Sequence, residues 1–153
     1  MLIPATTLTE GAAQGTLVLL SEPLSLWGGL DVHTGAIIDA QHPQCGVTLA
    51  GRILAMRGAR GSSSSSSALV EAARSGVAPA AIILQQHDAI LVIGALVAAD
   101  LYQVRIPIVT LSADRWEHLR DGSIVAVSAK PASAEIQSLT LRRHGHRRPE
   151  NTQ

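Results

Sequence analysis

The apolar positions in the first part of the chain form short segments separated by turn residues. They predict a first strand over residues 16–20 and shorter strands over residues 36–39, near 47–49 and over 52–56. Glycines and the pair His42 and Pro43 interrupt the chain between these segments. Short strands of this kind are typical of a small β-barrel or meander.

The pattern changes after residue 62, where helical and strand-like segments alternate. The predicted order is a helix over 63–75, a strand over 80–84, a helix over 89–101, a strand over 106–111, a helical turn over 114–119 and a strand over 123–128. Strands that alternate with helices are typical of parallel βαβ units. The chain therefore predicts an α/β domain in which a small β layer packs beside a three-layer unit, followed from about residue 131 by an extended tail.

The two longer predicted helices have recognisable ends. Ser62 is expected to cap the first helix, and Gly76 suits the position just beyond its end. Asp88 is the expected N-cap of the second helix, although His87 and Asp88 also follow a strand, where ligands gather in α/β sheets. Apolar residues share one side of this second helix: Ile90, Ile93, Leu96, Val97 and Leu101.

Composition places the chain among compact, folded proteins. Of its 153 residues 46% are hydrophobic and 16% are charged, which is enough apolar material for the core of one domain. Aromatic residues are almost absent and the formal net charge is zero, so single-stranded nucleic acids and anionic membranes are poor candidate partners. Basic side chains cluster over residues 142–148, where a solvated, disordered end is expected.

The single cysteine, Cys45, excludes an intramolecular disulfide and a metal site built from cysteines of this chain alone. We expect Cys45 to be buried as a small apolar residue. The N-terminus lacks the pattern of a secretory signal, and the longest apolar stretch, residues 89–99, is too short to span a bilayer. A cytoplasmic location is therefore the expectation.

Six consecutive serines, residues 62–67, lie between a glycine-containing turn and a predicted helix. The turn follows a strand, so it delivers hydroxyl and backbone N–H groups to a helix start, where the helix dipole favours anions. Arg57 or Arg60 could pair with a bound carboxylate or phosphate. Because serine is a mediocre helix former, the run indicates a role other than helix formation. A capped helix with a polar surface is the alternative interpretation.

The serine run does not match two common catalytic motifs. Residues 57–62 lack the lysine and the glycine spacing of a Walker A loop, so nucleotide hydrolysis finds no support. The second glycine of a Gly-x-Ser-x-Gly elbow is absent after Ser63 or Ser64, because serines continue to residue 67. No histidine lies between His42 and His87, which argues against a phosphohistidine carrier. For the same reason, the sequence places no histidine to activate the serines, as a stand-alone serine hydrolase would need.

Several motifs along the chain resemble those of one enzyme family. They occupy residues 21–31, 34–35, 38–39, 42–43, 51–54, 61–65, 76–83, 94–98 and 106–109. As a set, and over roughly residues 8–130, they are similar to the small, swivel-domain subunit of the aconitase X group of hydro-lyases.

The resemblance implies a swivelling β/β/α domain over residues 1–130, with residues 131–153 as a basic tail outside it. It also implies a partner, a larger subunit that carries the cysteines of an iron–sulfur cluster and most of the substrate contacts. The enzyme would then be a heteromeric dehydratase that is active only when both subunits are present. This chain itself would bind no metal.

The resemblance also implies roles for residues of the serine turn. The serine that accepts the proton in the family matches Ser62, while Ser63 stays open as an alternative because the longer run leaves the register ambiguous. From the geometry of a helix start, and not from the resemblance, we also expect Arg60, Gly61, Ser63 and Ser64 to bind the substrate. A helix N-terminus with a nearby arginine would stabilise a serine alkoxide.

Two substrates are associated with this group, cis-3-hydroxy-L-proline and mevalonate 5-phosphate. A composition rich in alanine and arginine with Lys130 as its one lysine favours the bacterial activity, on cis-3-hydroxy-L-proline. A function of a different class remains open, in which the domain is non-catalytic and binds an anion at the Ser62 turn.

Overall fold

A computed structural model describes residues 1–140 of the protein. The elements and their bounds are β1 (Leu2–Thr9), β2 (Gly11–Leu19), α1 (Leu26–Gly29), β3 (Ile53–Met56), α2 (Ser65–Arg74), β4 (Ala81–Leu84), α3 (Ala89–Tyr102), β5 (Ile108–Thr110), α4 (Ala113–Trp116), β6 (Ile124–Lys130) and β7 (Ser133–Ser138). Strands and helices alternate between β3 and β6, as the sequence predicts.

The seven strands close into a barrel in the order β1-β5-β4-β3-β2-β6-β7. Strands β2, β3, β4 and β5 are parallel to one another, whereas β6 and β7 form an antiparallel hairpin that joins β2 to β1, and β6 is antiparallel to β2. Strand β1 is antiparallel to both β5 and β7. The structure thus combines a parallel, helix-covered side with an antiparallel side, which is the β/β/α architecture expected.

The central strands are buried on both faces, which explains why they read as continuous apolar runs. All four residues of β3 are buried, and they alternate between two core clusters. Ile53 and Ala55 join a cluster to which all seven strands contribute, so this cluster fills the barrel. Leu54 and Met56 join a second cluster that includes residues of α2 and α3, so it lies between the barrel and the helices.

Two strands were absent from the predicted order. Strand β1 precedes the strand expected to be first, and β7 lies within residues assigned to the tail. The domain boundary at residue 130 was therefore too early, because Ala134 and Ile136 of β7 are buried in the barrel core. The basic cluster predicted over residues 142–148 lies outside the described residues.

Most large apolar residues of α3 lie on its outward side, with Leu91 as the buried exception. Ile93, Leu96 and Leu101 are exposed, whereas Gly94, Ala95 and Ala98 are buried against the rest of the domain. The reason is packing distance, since small residues let α3 approach α2 closely: a Cβ built on Gly94 would lie 3.0 Å from the carbonyl oxygen of Ser66.

The predictions for Cys45 and for two short strands differ from the structure. Cys45 is exposed rather than buried, because it lies in a turn in which its own backbone N–H donates to the carbonyl oxygen of His42. The short strands expected over residues 36–39 and 47–49 are isolated bridges, from Leu30 to Ile37 and from Ala36 to Thr48. None of the helices within residues 1–140 is both long enough and apolar enough to cross a membrane.

Candidate functional site

The serine turn lies at the carboxyl end of the parallel strands. Strand β3 ends at Met56, and residues 57–64 connect it to α2. The neighbouring strand β4 ends at Leu84, and its following loop leads to Asp88 at the start of α3. Ligands of open parallel α/β sheets bind at this edge, because loops from adjacent strands converge there.

Gly61 shapes the turn before the first serine. Its φ of +103° is strained for a residue with a side chain, and a Cβ at this position would lie 2.2 Å from Ser25 Oγ. Ser25 Oγ itself donates to the carbonyl oxygen of Trp27, at 3.0 Å. The turn that presents Ser62 is therefore packed directly against the loop that carries α1.

Ser62 is exposed and makes the interactions of a residue just outside a helix. Its Oγ accepts a hydrogen bond from the backbone N–H of Ser64 at 3.3 Å, and its carbonyl oxygen accepts from the N–H of Ser65 at 3.1 Å. Ser64, not Ser62 as expected, occupies the N-cap position of α2, and its side chain makes no capping hydrogen bond. The Ser62 oxygen thus lies at the positive end of a helix with an N–H donor directed at it.

The remaining serines differ in exposure and in hydrogen bonding. Ser63 is exposed, and its carbonyl oxygen accepts from both the N–H and the Oγ of Ser66, at 3.3 and 2.8 Å. Ser65 is buried at 3% exposure, and within residues 1–140 its Oγ is the one buried side-chain oxygen or nitrogen without a hydrogen-bond partner.

The two candidate arginines have different surroundings. Arg57 donates to Gln85 Oε1 at 2.9 Å, lies 3.5 Å from the Glu117 carboxylate and stacks 5.5 Å from the centre of the Trp116 ring. These contacts hold it among residues that follow β4 and form α4. Arg60 is exposed and lines a cavity together with Gly61 and Ser62, so it is the arginine nearer to the serines.

That cavity has a volume of about 20 Å³ and is lined by Ser62, Ser65 and Asp88, among others. Asp88 Oδ1 caps α3 by accepting from the N–H of Leu91 at 3.0 Å, as predicted. Sequence reasoning gave Asp88 the role of a cap and did not connect it with Ser65. The sequence feature that could have indicated a site at Asp88 is its position after a parallel strand. A larger cavity of about 380 Å³ shares no lining residue with this one and lies among residues such as Ile3, His118 and Val125.

Within the described residues, the serine turn has neither a histidine in the cavity beside Ser62 nor a set of metal ligands. His42 is buried and structural, because its ring nitrogens contact the carbonyl oxygen of Glu22 and the N–H of Gln44 at 3.0 Å each. No histidine lines the cavity beside Ser62. Over the part of the chain that the structure describes, no group of three or more His, Cys, Asp or Glu side chains is placed to hold a metal ion. These residues do not fit an iron–sulfur cluster.

The fold and the serine turn together define a swivel-type β/β/α domain with a serine at the start of a helix. A family model described as the aconitase X swivel domain matches residues 2–136. The chain therefore belongs to the aconitase X swivel domain family. Its match extends through β7, consistent with the position of that strand in the barrel.

Known relatives carry this domain in two contexts. The chain is 40% identical over 147 residues to a cis-3-hydroxy-L-proline dehydratase of Pseudomonas aeruginosa, a match that covers 87% of the chain and 25% of that protein. It is 39% identical over 116 residues to a phosphomevalonate dehydratase small subunit of Methanopyrus kandleri, covering 76% of the chain and 82% of that protein. The chain thus spans about a quarter of the first relative and most of the second.

A solved structure has the same fold. The crystal structure of the holo-form of Thermococcus kodakaraensis aconitase X is similar with a TM-score of 0.77 and 28% sequence identity, over 90% of this chain and 98% of the matched chain. Relatives named as dehydratases and this structural match agree with the hydro-lyase family that the motifs indicate.

Proposed function

We propose that the chain is the swivel domain of a hydro-lyase that dehydrates cis-3-hydroxy-L-proline, with Ser62 as the proton-abstracting base. The observation that carries the proposal is the position of Ser62 at the N-terminus of α2, where the N–H of Ser64 donates to its Oγ at 3.3 Å. The 40% identity to the Pseudomonas aeruginosa dehydratase supports this choice of substrate.

The chemistry requires a base for a weakly acidic C–H bond and a leaving hydroxide. A serine hydroxyl acts as a base only when its alkoxide is stabilised, and here the Ser64 N–H and the dipole of α2 act on its oxygen. Arg60 and the exposed Ser63 would bind the substrate carboxylate, with Gly61 contributing its backbone N–H and Ser64 its hydroxyl.

A larger partner would complete the active site. The described residues offer no ligand set for an iron–sulfur cluster, so we assign the cluster to a larger subunit or to an equivalent domain. Both arrangements are compatible with the relatives, one of which is a protein about four times the length of the match and the other a small subunit. When bound by that partner, the cluster would act as a Lewis acid for the departing hydroxyl.

The test is anaerobic purification of the tagged chain from its native host, followed by assay of the complex with both candidate substrates. We expect a cysteine-bearing partner, bound iron and turnover of cis-3-hydroxy-L-proline. Replacing Ser62→Ala should lower kcat by about 10²- to 10⁴-fold with partner binding retained, the range that general bases contribute. Ser67→Ala is the matched control, because Ser67 is an exposed serine of the same run that has no role in the proposal, so this variant should keep most of the activity.

Two other outcomes would change the assignment. Loss of activity in Ser63→Ala, with Ser62→Ala active, would move the base to Ser63. Turnover of mevalonate 5-phosphate would favour the second substrate, which the similarity to the small subunit of Methanopyrus kandleri supports. Recovery of the chain alone and without iron would favour a non-catalytic domain that binds anions at the Ser62 turn.

A further inference from the structure

The buried hydroxyl of Ser65 has no hydrogen-bond partner within the described chain, although it lines the cavity beside Ser62. Leaving a buried hydroxyl unpaired costs about 1–3 kcal/mol, so native structures rarely do so without a reason. Helical serines commonly avoid this cost by bonding back to a carbonyl three or four residues earlier. Ser66 does so with Ser63, at 2.8 Å, but Ser65 does not.

The cavity that Ser65 lines has the size of one water molecule. Its volume is about 20 Å³, and a water needs a cavity of roughly 10–15 Å³ and two to four polar partners. Ser62, Ser65 and Asp88 are the polar side chains that line it along with Arg60, and Ala59 and Ile90 close its apolar side. The Asp88 cap uses Oδ1, which leaves Oδ2 to accept a second hydrogen bond.

We propose that one water molecule binds in this cavity between Ser65 Oγ and the Asp88 carboxylate, and that it carries the proton of the Ser62 hydroxyl to Asp88. Ser65 is then a positioning residue that holds the water, and Asp88 is the proton acceptor that allows Ser62 to act as a base. The inference rests on the proposed role of Ser62 and adds the source of its activation.

The proton transfers balance over one turnover. The O–H bond of Ser62 breaks as its proton moves through the water to the Asp88 carboxylate, which leaves a serine alkoxide and a carboxylic acid. The alkoxide then takes the proton of the substrate C–H bond, the electron pair of that bond forms the double bond, and hydroxide departs. The proton held by Asp88 joins the hydroxide, which leaves as water, so both side chains return to their initial states.

Asp88→Asn separates this role from helix capping. Asparagine caps helices as well as aspartate does, so the N–H of Leu91 keeps its partner and the melting temperature should change little. The side chain can no longer accept the proton, however. In the assembled enzyme we expect kcat to fall at least about 10-fold with KM unchanged, and the primary deuterium isotope effect on C–H cleavage to grow as that step becomes slower. Asp88→Ser, which also caps without a carboxylate, should behave in the same way.

Ser65→Ala tests the water. It should also lower kcat without changing KM, and its effect should not add to that of Asp88→Asn because both act on one relay. Ser66→Ala is the matched control, because it removes a neighbouring hydroxyl that is already bonded to Ser63. A crystal structure of the full chain at a resolution that shows waters should contain one within hydrogen-bond distance of Ser65 Oγ and Asp88, and the Ser65→Ala variant should lack it.

Failure of the relay can be told apart from failure of the proposed function. A dry cavity in the crystal structure, or wild-type kcat in both Asp88→Asn and Asp88→Ser, would overturn the relay. If Ser62→Ala is inactive under those conditions, Ser62 is still the base and only its activation is wrong. If Ser62→Ala is fully active, the role of Ser62 itself is wrong.

Discussion

Gly61 and Ser25 are in such close contact that a Cβ on the glycine would lie 2.2 Å from the serine Oγ. The same glycine has a φ of +103°, so both its conformation and its neighbour exclude a side chain. The contact joins the loop before α1 to the turn that presents Ser62. The position of the candidate base, Ser62, thus depends on a residue that is 37 positions earlier in the chain.

We expect Gly61→Ala to displace the serine turn. Backbone strain of this kind costs about 1–3 kcal/mol, and relief of the clash requires Ser25 or the turn to move. Thermal unfolding should show a lower melting temperature, and the assembled enzyme should lose most of its turnover. Gly58→Ala is the matched control in the same turn, because its Cβ would meet only the side chain of Gln86, with Oε1 at 3.1 Å, and that exposed side chain can move. Equal losses in the two variants would contradict a specific role for Gly61.

The location of the serine turn could be predicted from sequence, whereas the contacts around it could not. Residues 53–56 are a continuous apolar run followed by a glycine-rich turn, which predicts a buried strand that leads into the helix. The shared cavity of Ser65 and Asp88 depends instead on how closely α3 approaches α2. Sequence periodicity does not report the distance between helices.

The strands of the barrel also differ in how clearly the sequence alone predicts them. The parallel strands β3 and β4 were predicted because their burial on both faces leaves a local signature. Strands β1 and β7 have mostly exposed or half-buried residues. Strand β1 pairs with β5 and β7, which are both distant in sequence, whereas β7 pairs with β1 and also forms a local hairpin with β6. In β7 the inward positions Ala134 and Ile136 alternate with polar residues, which is the period-2 pattern of a half-buried strand, so the predicted tail overlooked a local signal.

Gly94→Ala tests whether helix packing sets the serine geometry. The added Cβ would lie 3.0 Å from the Ser66 carbonyl oxygen and 3.1 Å from its Cα, so α3 and the first turn of α2 must separate. Overpacking of this kind costs about 1–3 kcal/mol, although alanine favours the helix by roughly 1 kcal/mol. We expect a lower kcat with little change in KM. Leu96→Ala on the exposed side of α3 is the control for the melting temperature, which it should leave nearly unchanged.

Thr9→Val tests the junction between β1 and β5. The Thr9 hydroxyl is buried, donates to the Ile106 carbonyl oxygen at 2.7 Å and accepts from the N–H of Ile108 at 2.8 Å, at a point where the register of the two strands shifts. Valine keeps the shape but leaves both backbone groups unpaired, so we expect the free energy of unfolding to fall by about 1–3 kcal/mol in denaturant titration. Thr9→Ser keeps both hydrogen bonds and should cost less; the reverse order would show that the methyl group, not the hydroxyl, matters.

Titration of the Asp31 carboxylate should make part of the stability of the domain dependent on pH. The backbone N–H of His33, with that of Thr34, donates to its carboxylate, which lowers the pKa of Asp31 below its ordinary value of 3.8. A lowered pKa in the folded state means that the carboxylate contributes stability above the unfolded value, and that this contribution is lost as the pH falls through the folded value. Asp31→Asn keeps an oxygen acceptor and does not titrate. The melting temperature of the wild type relative to this variant should therefore decline as the pH falls through and below the ordinary value of 3.8, and a constant difference would contradict the assignment.

The exposed side chain of Trp27 is the expected contact site for the proposed larger partner. This tryptophan is 60% exposed, and its carbonyl oxygen accepts a hydrogen bond from Ser25 Oγ. Because Ser25 packs against Gly61, Trp27 lies on the loop that supports the candidate base. A partner that covers Ser62 with a cluster must approach this loop, and exposed tryptophans are frequent anchors of interfaces. We expect Trp27→Ala to weaken recovery of the partner in anaerobic purification and to raise the chain concentration needed for full activity, without lowering the melting temperature of the chain. Leu101→Ala, at an exposed apolar residue on α3, is the control. If it weakens recovery while Trp27→Ala does not, the partner contacts the outer side of α3 rather than the loop beside the serine turn.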